Sequence, residues 1–110
     1  MKLGPLPIGA IDWSDVPAVT GPGETGTQTV RTRELGDIKL RLVAYSAGYC
    51  ADHWCAKGHL VYVVDGHLTL EHEDGTQFAL GPGMSWHAPD QAGPPHRVVT
   101  ERGATIFIVD

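Results

Sequence analysis

From position 28 onward the chain is built of short apolar or alternating runs, each closed by a turn signal. Gln28 to Leu35 and Ile38 to Ser46 are separated by Gly36-Asp37. In the second run Ile38, Leu40, Leu42 and Ala44 share one face, and Lys39, Arg41, Val43 and Tyr45 share the other, because successive strand residues point to opposite sides. That second face is mixed in polarity. His59 to Val64 and Leu68 to Glu73 flank Asp65-Gly66-His67, and Asp74-Gly75 is a second tight-turn signal before Thr76 to Leu80. Met84 to His87, His96 to Thr100 and Thr105 to Val109 complete the set. Strands of about five residues recurring about every ten predict an all-β sandwich or barrel. No helix-period segment of useful length, internal repeat or low-complexity tract interrupts the pattern.

Residues 1 to 27 follow a different rule. They hold four of the eight prolines and show no period. They predict an irregular arm packed across a barrel of residues 28 to 110, with Ile8, Ile11, Trp13 and Val16 as its points of attachment, since an indole is costly to leave in water. A chain of 110 residues, 42% hydrophobic and 19% charged, can bury one core but not two. The formal charge of -5, with no basic cluster, argues against a nucleic-acid partner. No apolar run approaches the 18 or so residues of a membrane span. With no targeting signal at its start, the expectation is a soluble cytoplasmic protein. Cys50 and Cys55 are oddly spaced, which on a regular strand puts them on opposite faces and disfavours a disulfide.

The chemistry concentrates in His53, Cys55 and His59, with His96 far downstream, a borderline-soft donor set suited to one transition metal. On a strand, residues 53 and 55 point the same way about 6.6 Å apart and can converge on one ion. His59 can join them only if the chain folds back near Ala56-Lys57-Gly58, a reversal that glycine makes easy. His96 must arrive from a separate strand, as a barrel allows. Cys55 has two readings, a ligand or a small apolar packing residue. His67, His72 and His87 are read as surface or hydrogen-bonded residues. Asp52 is read as a structural hydrogen-bonding group at the bend, with a contact to a ligand histidine as the alternative.

The stretch from Gly48 to Gly66, with His53-Trp54-Cys55 and His59, resembles the first motif of the cupins: a glycine, H-x-H, an acidic ligand, and a strand ending in glycine. Cys55 stands at the second histidine and His59 at the glutamate. Gly83 to His96, through Pro89 and Gly93, resembles the second motif with two extra residues between Pro89 and Gly93. The resemblance covers residues 28 to 109, and Asp52-His53-Trp54-Cys55 is similar to the signature of the small cupin group named for its DHCW motif. It implies a double-stranded β-helix, a jelly-roll-like barrel, with one divalent metal (Zn, Fe, Ni or Mn) in its mouth. It also implies pairing through sheet edges, so a homodimer is expected. It names no reaction, because the barrel hosts many.

Walls for a small-molecule ligand or substrate are sought among the strand aromatics, with Tyr45, Tyr62 and Trp86 favoured over Trp54, Met84 and Phe107. With three nitrogens and an open position the ion would act as a Lewis acid, giving a lyase, isomerase or hydrolase, or with iron a dioxygenase like those of the superfamily. Four filled positions would make a closed structural site. The competing class is a non-enzymatic module that binds or senses a small ligand. No carboxylate occupies the usual glutamate position, so neither motif supplies an obvious general base, and the catalytic residues are unassigned.

Overall fold

Alternation becomes two antiparallel sheets in the computed structural model, which describes residues 3 to 110. The nine strands are β1 (Ala18–Pro22), β2 (Thr27–Leu35), β3 (Ile38–Tyr45), β4 (His59–Gly66), β5 (Leu68–His72), β6 (Gln77–Leu80), β7 (Ser85–Ala88), β8 (His96–Val99) and β9 (Ala104–Val109). One sheet has the order β1-β2-β3-β9-β4-β7 and the other β6-β5-β8. Every strand from β2 onward lies within two residues of a run legible in the sequence. Among the described residues no helix is long and apolar enough to cross a membrane.

The core lies between the sheets. Val61 and Val63 of β4, Leu68 and Leu70 of β5, Trp86 of β7, and Ala104, Ile106 and Ile108 of β9 pack there with Val43 and Leu80. On β3 it is the mixed face that turns inward: Val43 is buried and Tyr45 packs on the cluster. Apolar content alone would have chosen Leu40 and Leu42 instead. Those residues lie on the outer face, in register with Val109 and Phe107 of β9.

The arm accounts for part of that outer face. Trp13 packs edge-on against Phe107, with ring centroids 6.0 Å apart, and Val16 is buried. The Arg31 guanidinium donates to the carbonyls of Trp13 and Val16, fixing the arm to β2. Two expectations for this segment are corrected. Ile8 is fully exposed and anchors nothing, because it lies between Pro7 and Gly9 with no strand partner. Nor is the arm irregular throughout, since β1 adds to the edge of β2, with Thr20 and Thr29 hydroxyls 2.9 Å apart. The five paired residues of β1 close on Gly21-Pro22, which reads as a turn signal and hides the strand.

Candidate metal centre

The segment after β3 decides which residues meet. Cys50 forms isolated bridges to Thr25 and Val99, and Cys55 forms one to His96, with paired backbone bonds of 2.8 and 2.9 Å. Between them Asp52 and His53 lie in a bend, not on a strand. The two-residue periodicity that would have brought His53 beside Cys55 therefore does not apply. The His53 ring is 75% exposed and lies 2.7 Å from the Asp52 carboxylate, whose pKa that contact lowers. Trp54 lies under the Arg97 guanidinium, 4.4 Å from its ring centroid, and Arg97 in turn reaches Glu71 at 3.0 Å. Both cysteines are free thiols.

Cys55, His59 and His96 come together. One donor atom from each lies within 4.8 Å of the other two. His59 opens β4 on the face of Val61 and Val63, and His96 opens β8 as a buried residue at 5% exposure. Cys55 Sγ and His59 Nε2 are 3.6 Å apart. An ion with a sulfur ligand at about 2.3 Å and a nitrogen ligand at about 2.1 Å, at the tetrahedral angle, separates those two atoms by about 3.6 Å. The spacing thus fits a shared metal without rearrangement of this pair.

Gly58 sets where His59 begins, though not by the device expected of it. Its φ is not positive, and the chain does not use it as a left-handed turn. A Cβ there would meet the Ala88 carbonyl oxygen and the Asp90 nitrogen at 2.6 Å. Only a glycine allows the first motif to lie against the 88–90 loop, where Gly58 N donates to Asp90 Oδ1 and Gln91 N donates to the Ala56 carbonyl.

Behind His59 stands Asp110. Its Oδ2 is 3.0 Å from His59 Nδ1 and 3.0 Å from an Arg41 terminal nitrogen, and the His59 and Asp110 side chains are 9% and 13% exposed. The His59 contact lacks hydrogen-bond alignment, which leaves Nδ1 a buried polar atom without a hydrogen-bond partner, and Asp110 Oδ1 is another. A carboxylate at this place turns the protonated nitrogen of the ring toward itself and leaves Nε2 free for a metal. Burial lowers the His59 pKa, opposed by Asp110. Burial, with His59 and His72 nearby, pushes His96 down to about 4. Both imidazoles are therefore neutral near pH 7, the form a metal binds.

Beside the three donors a cavity of about 300 Å³ opens, lined by Cys55, His96, Trp86, Phe78, Pro89 and His72 among others. Of the three aromatic wall candidates, Trp86 faces this cavity, its ring centroid 4.5 Å from that of His96. Tyr62 is 47% exposed on the outer face of β4. Tyr45 stacks with Tyr49 at 4.6 Å and lines a different cavity; burial raises its pKa. His72, read from sequence as a surface or hydrogen-bonded residue, hydrogen bonds the Pro94 carbonyl and is on the inward face of β5 with Leu68 and Leu70. That alternation was visible in the sequence and would have found it.

No protein-family model and no curated protein matches the chain. Solved structures do. The polyketide cyclase RemF from Streptomyces resistomycificus superposes with a TM-score of 0.71 at 25% identity, over 93% of this chain and 78% of that one. A sugar phosphate isomerase of the cupin superfamily from Silicibacter pomeroyi gives 0.72 at 18% identity, over 92% and 74%. Ectoine synthase from P. lautus gives 0.73 at 14%, over 93% and 76%. The chain has the cupin fold.

Proposed function

We propose that this chain is a small metal-dependent cupin, in which Cys55, His59 and His96 hold one divalent transition metal at the barrel mouth and a small molecule binds beside it. The observation that carries this reading is the convergence of three donor atoms within 4.8 Å, two of them from residues, Cys55 and His96, that line a largely apolar cavity. His53 is left out of the set because its ring is exposed and engaged with Asp52. Three protein ligands leave a coordination position for an exogenous oxygen or nitrogen, whereas four would close the site. Bound there, the metal would supply Lewis-acid polarisation of a carbonyl or enolate oxygen. The isomerase, cyclase and synthase named among the structural neighbours accord with a lyase or isomerase reading, and iron would favour a dioxygenase.

One observation favours the alternative of a binding module. Among the described residues lining the cavity, the one carboxylate is Asp74, which sits in an exposed turn accepting from Thr76 N. The cavity thus lacks a buried carboxylate base.

Elemental analysis of untagged protein tests the metal set. The expected result is one equivalent of metal in the wild type and in His53→Ala, with most of it lost in His59→Ala and in His96→Ala. Loss in His53→Ala, or retention in the other two, would refute the assignment.

A further inference from the structure

His72 has no part in the three-donor set, yet its position is not that of a surface histidine. It lies directly across the β5–β8 pairing from His96, and the two ring centroids are 5.9 Å apart. Trp86 and Phe78 flank the ring at 5.7 and 5.6 Å. Its Nδ1 is 3.0 Å from the carbonyl oxygen of Pro94. A carbonyl can only accept, so Nδ1 is the donor and, in the neutral ring, Nε2 carries the lone pair. Among the described residues Nε2 has no hydrogen-bond partner, nor is it a buried unsatisfied atom. The Pro94 carbonyl therefore fixes both the tautomer and the ring, and leaves one acceptor in a cavity otherwise walled largely by carbon.

We infer that His72 is the group that selects the bound molecule. It accepts a hydrogen bond through Nε2 from a small, flat, mainly apolar compound that reaches the metal through oxygen and carries an N–H or O–H donor. The inference rests on the proposed metal site, and the cavity supplies the rest. Trp86 and Phe78 offer flat apolar contact, about 300 Å³ limits the size, and His72, its ring held by Pro94 beside those two rings, offers an acceptor next to them, whereas Asp74 is engaged with Thr76 N in an exposed turn. A ligand without the donor leaves Nε2 unpaired in an apolar setting, which is how a site built around one hydrogen bond discriminates.

Benzohydroxamic acid and N-methylbenzohydroxamic acid provide the probe pair, because both chelate a metal through two oxygens and only the first carries the N–H. Each is titrated into Co(II)-loaded protein and followed by the visible cobalt spectrum. Wild type is expected to bind the N–H compound about five- to tenfold more tightly. His72→Phe, or His72→Leu should the former not fold, should reduce that ratio toward one with full cobalt content. His72→Gln, which retains an acceptor, should restore part of it. A ratio unchanged in His72→Phe or His72→Leu would overturn the inference, and so would loss of cobalt in those variants, which would make His72 a ligand. Failure of the wild type to take up cobalt at all would instead overturn the metal reading beneath it.

Discussion

In the proposed site, His96 is where protonation and metal binding would compete for one nitrogen. Its pKa lies near 4 in the folded chain, against 6.5 for a free histidine, because burial penalises the charged ring and His59 and His72 add like charge when protonated. A folded-state pKa below the unfolded one means that the unfolded chain takes up the proton first as pH falls. The stability that neutral His96 contributes is thus whole above about pH 6.5 and is lost between about pH 6.5 and 4, with His59 acting in the same direction. The melting temperature of metal-free protein should fall steadily from pH 7 to pH 4.5, and His96→Gln should flatten that slope. A wild-type melting temperature that is level across the window would contradict the burial argument. The same shift would place proton competition for a metal held by His96 at lower pH than free histidine would.

At the scale of elements, the two motif segments are held together by a contact that tolerates no side chain. Gly58 lies against the 88–90 loop, so an added Cβ must push β4 and that loop apart or shift the start of β4, which carries His59. Gly58→Ala should lower the melting temperature by about 5–15 °C, corresponding to about 1–3 kcal/mol for a domain of this size, and weaken metal retention as well. Unchanged stability and retention would show that the loop yields freely. The strands from β2 onward were legible because they are short apolar or alternating runs, most of them closed by a turn signal, whereas β1 was not. The site was legible only in part. Cys55, His59 and His96 were singled out by residue type and spacing and do lie close together, but the convergence of His53 assumed a regular strand where the chain bends at Asp52-His53. His72 was visible in the alternation of Leu68, Leu70 and His72, yet a lone histidine weighs little without knowledge of what faces it. Arg41 and Asp110 are 69 positions apart; the β3–β9 pairing brings them together, and the β4–β9 pairing sets His59 beside Asp110.

At the scale of the molecule, the strand ends divide the labour. The starts of β4 and β8 and the residue after β9 place His59, His96 and Asp110 at one end of the barrel, over a core of Val61, Val63, Ile106 and Ile108. The opposite strand ends, around Gly66, Val99 and Ala104, line the separate cavity that holds Tyr45. The donors are thus backed by apolar residues and reached from the side where Trp86, Phe78 and His72 form the walls, an arrangement suited to a metal that meets a small molecule. Cobalt substitution tests this most directly, since a thiolate bound to Co(II) gives an intense near-ultraviolet charge-transfer band. The account predicts that band in the wild type at one equivalent of cobalt, its retention in His53→Ala and its loss in Cys55→Ser. Stoichiometric cobalt binding without the band in the wild type would contradict a site built on Cys55, His59 and His96.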